Sequence, residues 1–106
     1  MTVAESVKYV ETLVATYLRL AGRTRLTGAV AELGVGDNLG TLLLLKERGA
    51  TEAVAVDRYR PRADPDVQRA VYVALAQRHG IDGIDLGDPD LDLGVTTEYG
   101  AAAEDY

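Results

Sequence analysis

Apolar residues recur every three or four positions over the first twenty residues, in the pattern of an amphipathic helix. The positions are Val3, Val7, Val10, Val14, Tyr17, Leu18 and Ala21. Gly22 follows them, and a glycine directly after a helix is typical of its C′ position. The pattern therefore predicts a first helix, followed by a polar connector over residues 23–28.

Three later segments have the length and composition of strands. Residues 29–33 form a short apolar run bounded by glycines, which predicts a buried strand. Residues 53–56 predict a second strand that ends at Asp57, and residues 93–99 predict a third.

Two further helices are predicted between these strands. Residues 39–48 contain four consecutive leucines, so the helix has no wide polar face and is expected to be mostly buried. Asp64 followed by Pro65 is typical of an N-cap and N1 pair, and Gly80 ends the apolar pattern that follows.

Alternation of helices and strands predicts a parallel sheet with right-handed crossovers. We therefore expect an α/β protein with a Rossmann-like parallel sheet and flanking helices, incomplete, with about three strands. Residues 1–28 are predicted to be a leading helix and connector, and residues 29–106 a partial Rossmann-like cofactor-binding domain.

Composition narrows the classes of function. The chain has 106 residues, a formal net charge of −6 and no cysteine. It has no basic stripe, which disfavours a nucleic-acid partner, and disulfides and zinc–thiolate sites are excluded. No apolar run approaches the roughly 20 residues that span a bilayer, and the N-terminus does not resemble a signal peptide. We expect a cytoplasmic protein with no membrane partner.

The turn after the first predicted strand is rich in glycine, with Gly34, Gly36 and Gly40. In open α/β sheets such a turn is where nucleotides bind, because missing side chains let a ligand touch the backbone. The other explanation is a tight turn with close helix–strand packing. Asp57, at the end of the neighbouring strand, is suited to accept hydrogen bonds from ribose hydroxyls.

The glycine spacing departs from the phosphate-binding patterns. Gly34-x-Gly36-x-x-x-Gly40 differs from the dinucleotide fingerprint G-x-G-x-x-G, and the Lys and Ser/Thr of a Walker loop are missing. Glu32, just before the turn, would repel a pyrophosphate and suits a cationic ligand. Asp37 and Asn38 are candidates either to contact a ligand or to cap the following helix, with capping slightly favoured.

The segment ELGVGDNLG at residues 32–40, together with AVAVD at residues 53–57, resembles motif I and the acidic second-strand end of class I S-adenosylmethionine-dependent methyltransferases. The resemblance implies S-adenosyl-L-methionine as cofactor and methyl transfer as the reaction. It places Gly34 and Gly36 under the cofactor, with Asp37 a candidate in the same motif. Glu32 would face the methionine end, directly or through water.

The rest of the cofactor site is also implied by this resemblance. Asp57 would hold the ribose, and Arg58 would border the adenine. The tail from Tyr99 resembles the end of the family's third strand, where Glu104 and Asp105 would approach the adenine amino group.

The resemblance stops before the family's fourth strand, because the chain ends at Tyr106. We therefore expect the N-terminal, cofactor-binding part of a methyltransferase, with its catalytic residues and its methyl acceptor unknown. The first strand would be left as a sheet edge, and an open edge favours self-association.

Two other classes of function are open for this chain, a nicotinamide-dependent oxidoreductase and a non-catalytic α/β interaction module. The acidic residues between 82 and 92 lack the order of an EF-hand, so a solvated loop is expected and no metal site. His79, the single histidine, lies at a predicted helix end, where the dipole favours a cation.

Overall fold

Helices and strands alternate in the computed structural model, which describes residues 2–34, 38–57, 64–82 and 93–100. The elements in chain order are α1 (Val3–Leu20), β1 (Ala29–Leu33), α2 (Gly40–Glu47), β2 (Glu52–Asp57), α3 (Pro65–His79) and β3 (Thr96–Tyr99). All six correspond to predicted elements. The third strand begins at Thr96, three residues later than the predicted segment 93–99.

The three strands form an open, all-parallel sheet in the order β1-β2-β3. Val30 pairs with Ala53 across the first ladder, and Val54 pairs with Thr96 across the second. The predicted α/β class is thus confirmed, as is the placement of the first two strands side by side. The arrangement is consistent with an incomplete Rossmann-like fold.

Helix α1 begins and ends at the residues that the sequence indicates. Thr2 Oγ1 accepts a hydrogen bond from the Glu5 amide at 3.1 Å, and Glu5 Oε1 accepts one from the Thr2 amide at 3.0 Å. This reciprocal pair is a capping box, which satisfies two donors that the first turn leaves free. At the other end Ala21 is the C-cap, one residue before Gly22.

Helix α3 also has the predicted termini. Asp64 Oδ1 accepts a hydrogen bond from the Asp66 amide at 2.8 Å, and Pro65 is the first helical residue. The C-cap is Gly80 in the left-handed conformation.

The helices cover one face of the sheet. Helix α2 lies on β1 and β2, and α1 and α3 pack against α2 and against each other. The hydrophobic core is formed by Val7, Val10, Val14, Leu18, Leu42, Leu43, Leu44, Leu45, Ala53, Ala55, Val71, Tyr72 and Leu75. Residues from the leading helix therefore share one core with the sheet.

The prediction that the first strand is buried is wrong for one of its faces. Ala29, Ala31 and Leu33 are exposed, whereas Val30 and Glu32 are partly buried. Successive side chains of a strand point to opposite faces, and the helices cover only the face that carries Val30 and Glu32. The four-leucine segment of α2, in contrast, is buried as predicted.

None of the helices in the described part of the chain combines the length and apolarity that crossing a membrane requires.

Candidate functional site

Glu32 lies near the carboxyl end of β1, on the face of the sheet that the helices cover. It pairs with Ala55, which belongs to the hydrophobic core. Its Oε1 atom is buried and has no hydrogen-bond partner among the residues that the structure describes. Burial raises the pKa of the Glu32 carboxyl group to about 7. Glu32 is therefore a partly desolvated acid, with one carboxylate oxygen that receives no hydrogen bond from the described residues.

A buried carboxylate without a partner opposes folding, because it has lost its hydration and gained no hydrogen bond in return. A cation placed beside the Glu32 carboxylate would offset that loss and lower the pKa of the group. An anion at the same place would raise the pKa further and be repelled. The electrostatics of this position thus favour a positively charged ligand.

Gly34 follows β1 and turns the chain at the same end of the sheet. Its backbone φ angle is +80°, a value that residues other than glycine rarely adopt. A Cβ atom at this position would meet no atom of the described residues within 4 Å. The Gly34 amide donates to the Val56 carbonyl at 2.9 Å, which fixes the turn to β2. Gly34 therefore serves the backbone conformation, and no described residue crowds it.

Gly40 has a different reason to be glycine. A Cβ atom there would lie 2.8 Å from Asn38 Oδ1, 3.0 Å from a Leu75 methyl group and 3.1 Å from a Val10 methyl group. Close approach of α1 and α3 to the first turn of α2 therefore requires glycine at this position. The sequence allows two explanations for the glycine-rich turn, ligand binding and close helix–strand packing. Close packing explains Gly40, but the packing is between helices rather than between a helix and a strand.

The N-terminus of α2 is closed by protein groups. The Leu39 amide donates to the Tyr72 hydroxyl at 2.9 Å, and the Gly40 amide donates to Asn38 Oδ1 at 2.8 Å. The N-cap residue itself is Leu39, whose side chain makes no capping bond, and Asn38, one residue before it, satisfies the Gly40 amide instead. These two amides are not free to bind a phosphate, which is the usual ligand of a helix N-terminus in nucleotide-binding sheets.

The sequence pattern does not identify Tyr72 as a site residue. Its spacing indicates only a buried helix face, since Tyr72 lies three and four residues before the buried Leu75 and Ala76 on α3. A tyrosine on a buried helix face needs a partner for its hydroxyl group. Nothing in the pattern indicates that the partner is an amide at the start of α2.

Asp57 ends β2 on the same sheet face as Glu32. It comes two residues after Ala55, the partner of Glu32, so the alternation of side chains brings both acids to the helix-covered face. The Asp57 residue is partly buried, and its carbonyl accepts a hydrogen bond from the Gly100 amide at 2.8 Å. The fold therefore gathers Glu32, Gly34 and Asp57 at the carboxyl end of two adjacent strands.

The other candidate site residues lie outside the described part of the chain. They are Gly36, Asp37, Arg58, Glu104 and Asp105. Asp82 is described, but the remaining aspartates of the predicted acidic loop are not. Within the described ranges, no group of three His, Asp or Glu side chains is placed to hold a metal ion.

His79 ends α3 and faces α1. Its Nε2 atom lies 2.6 Å from Glu11 Oε2, and Arg78 donates two hydrogen bonds of 2.9 Å to the same carboxylate. The Arg78 guanidinium group holds the pKa of Glu11 below its usual range. This cluster links α1 to α3 and is separate from the candidate site at the carboxyl ends of β1 and β2.

No protein-family model, curated protein or solved structure matches this chain.

Proposed function

We propose that this chain is the cofactor-binding portion of an S-adenosylmethionine-dependent methyltransferase. The observation that carries the proposal is the partly buried Glu32, whose Oε1 atom is buried without a partner among the described residues, two residues before the turn at Gly34. S-adenosyl-L-methionine carries an ammonium and a sulfonium group and no phosphate. Its charge is the one that the Glu32 position favours.

The residues present fit this cofactor in their donor and acceptor chemistry. Glu32 would hold the methionine end, the Gly34 turn would lie under the cofactor, and Asp57 would accept hydrogen bonds from the ribose hydroxyls. When bound, the cofactor supplies an activated methyl group for displacement by an acceptor nucleophile. We assign no catalytic residue and no methyl acceptor.

The alternative of a nicotinamide-dependent oxidoreductase is less well supported. A dinucleotide brings a pyrophosphate to the glycine-rich turn and to the helix N-terminus behind it. Here the Leu39 and Gly40 amides are engaged by Tyr72 and Asn38, and an ionised Glu32 would repel the phosphates.

Isothermal titration calorimetry with S-adenosyl-L-methionine tests the proposal. The wild-type chain is compared with Glu32→Gln and with Glu52→Gln, an exposed glutamate at the start of β2. We expect binding in the micromolar range at pH 8, at least about tenfold weaker in Glu32→Gln, because a charge-assisted contact is lost, and unchanged in Glu52→Gln. NAD is the control ligand and is expected not to bind.

Two results would overturn the proposal. One is a chain that unfolds cooperatively, and is therefore folded, but binds no S-adenosyl-L-methionine. The other is equal affinity in the wild type and in Glu32→Gln. Tighter binding of NAD would favour the oxidoreductase instead.

A second candidate function is association through β1. This strand is the edge of the described sheet, so its outward amide and carbonyl groups have no neighbouring strand among the described residues. Leu33 is 55% exposed, and Ala29 and Ala31 are exposed on the same face. We propose that this edge pairs with a second copy of the chain.

Sedimentation velocity over a range of concentrations tests the association. We expect a dimer in the wild type, a monomer in Ala31→Lys, and a dimer in the control Thr12→Lys, because lysine on an edge strand opposes pairing. Thr12 is exposed on α1. A monomeric wild type at every concentration would rule out this association.

A further inference from the structure

A groove lies between α1 and the C-terminal ends of α2 and α3, with a volume of about 410 Å³. We call it the arginine groove. Three arginines line it, Arg19, Arg23 and Arg48, and its apolar wall includes Val14, Leu18 and Leu44. Its volume falls within the roughly 300–1,000 Å³ of small-molecule sites.

The arginine groove is separate from the site at Glu32. The Leu26 amide donates to the Arg48 carbonyl, and the Thr51 amide donates to the Gly28 carbonyl, each at 2.8 Å. These bonds place the end of α2 beside the residues at which β1 and β2 begin. Glu32 lies toward the opposite, carboxyl end of the strands, so a ligand in the groove would not contact the proposed cofactor site.

The arginines of the groove are weakly neutralised. Within the described ranges, Arg19 and Arg23 have no acidic side chain within ion-pair distance. Arg48 has, among the described residues, its sequence neighbour Glu47 as an ion-pair partner, whose Oε2 atom lies 3.5 Å from Arg48 Nε. In a chain with a net charge of −6 and eleven Lys and Arg residues, three arginines around one groove form a local positive field.

The carboxylate that does line the groove is already engaged. Glu11 accepts two hydrogen bonds from Arg78 and lies 2.6 Å from His79 Nε2. It is therefore not available to neutralise the arginines across the groove.

Helix dipoles account for part of this arrangement. Arg19 lies in the last turn of α1 and Arg48 is the C-cap of α2, positions at which a cation stabilises the helix. Arg23 lies beyond the end of α1, where this effect has fallen off. A dipole also gives no reason for an apolar wall beneath the guanidinium groups.

We propose that the arginine groove binds a small organic carboxylate with a hydrocarbon or aromatic body. The carboxylate head accepts hydrogen bonds from the guanidinium groups, whose planar fork matches its two oxygens. The body of the ligand covers the apolar wall. Charge complementarity thus favours an anion, and the apolar wall favours an anion with an apolar body.

Calorimetric titration of the full chain with octanoate tests the inference, with octylammonium and inorganic phosphate as comparison probes. We expect octanoate to bind to one site, octylammonium to show no binding, and phosphate to bind much more weakly. Octylammonium has the same body as octanoate and the opposite charge. Phosphate has the charge without the apolar body.

Variants separate the two parts of the recognition. Arg19→Gln and Arg23→Gln are each expected to weaken octanoate binding roughly tenfold. Lys8→Gln removes the same charge from an exposed α1 position outside the groove and should leave the affinity unchanged. Ala15→Leu, at an exposed position that lines the groove, should block octanoate without disturbing the core.

The inference fails if octanoate does not bind to a cooperatively folding chain, or if both arginine variants bind it as the wild type does. Equal binding of octylammonium would show that charge does not select the ligand. Dimerisation that Arg19→Gln or Arg23→Gln abolishes would show instead that a second copy occupies the groove.

Discussion

The Tyr72 hydroxyl group accepts a hydrogen bond from the Leu39 amide at 2.9 Å and so joins α3 to the start of α2. Tyr72 is only 6% exposed, and its hydroxyl group lies 3.3 Å from Gln68 Oε1, to which it donates. Because the first amides of a helix have no partner within the helix, this contact satisfies a donor that would otherwise be left in a partly buried place.

Replacing Tyr72 by Phe should therefore destabilise the fold. The substitution keeps the ring and leaves the Leu39 amide without its acceptor, which costs about 1–3 kcal/mol of the free energy of unfolding. Urea denaturation followed by far-UV circular dichroism measures the change. Tyr17→Phe is the matched control, because Tyr17 is 44% exposed, and no change is expected there. Equal stabilities of the two variants would contradict the structural role of the contact.

Alanine substitutions at Gly34 and Gly40 should have different costs for different reasons. Gly40→Ala places a Cβ atom 2.8 Å from Asn38 Oδ1 and 3.0 Å from Leu75, and such overpacking costs about 1–3 kcal/mol. Gly34→Ala meets no described atom within 4 Å, so its expected cost is that of the left-handed backbone, about 1 kcal/mol.

A pair of substitutions distinguishes these causes by thermal unfolding. Leu75→Val removes the methyl groups nearest to the new Cβ atom, so it should recover part of the loss in Gly40→Ala and none of the loss in Gly34→Ala. Coupling energies of about 0.5 kcal/mol or more are expected for residues in contact. Equal coupling at both glycines would show that packing is not what requires Gly40.

Glu32 should make the stability of the protein depend on pH. A carboxyl group with a higher pKa in the folded than in the unfolded chain binds more protons when folded. With an ordinary pKa of 4.5 and a folded pKa of about 7, stability is highest below pH 4.5, falls as pH rises, and levels off above about pH 7. This slope is the contribution expected from Glu32.

Glu32→Gln should remove that slope and stabilise the chain at pH 8 by about 1–2 kcal/mol, because the partly buried ionised group is gone and solvent screens part of its cost. The measurement is urea denaturation at several pH values between 4 and 9. Glu52→Gln is the control, since Glu52 is exposed and should leave the slope in place. A Glu32→Gln chain with the wild-type slope would mean that Glu32 is not the group responsible.

Much of this fold could be predicted from local sequence signals. The capping residues Asp64 and Gly80 define the ends of α3 through contacts within a few residues, so the pattern of the chain is sufficient to find them. The exposed face of β1 could not be predicted in the same way. Its composition is apolar on both faces apart from Glu32, and exposure depends on which face the helices cover.

The candidate site could be predicted only in part, for a similar reason. Residue types and spacing identify Glu32, Gly34 and Asp57 as neighbours at the carboxyl ends of two parallel strands. They do not indicate that Glu32 Oε1 is buried without a partner among the described residues, because that depends on the packing of α2 over β1. The Tyr72–Leu39 hydrogen bond joins residues 33 positions apart and leaves no local signal.

The proposed cofactor should bind more tightly as pH rises. The ionised form of Glu32 attracts a cation, and with a pKa of about 7 the ionised fraction falls about tenfold per pH unit below that value. The dissociation constant of S-adenosyl-L-methionine should therefore increase between pH 7 and pH 6. Because the ligand itself titrates, the quantity to follow is the ratio of dissociation constants of Glu32→Gln and wild type, which should approach one at low pH.

Binding near pH 7 should also release about half a proton, since Glu32 with its pKa of about 7 is half protonated there. Calorimetry in phosphate and in Tris measures this release as a difference in apparent enthalpy. A ratio independent of pH, with the same proton release in both proteins, would show that Glu32 does not face the bound cation.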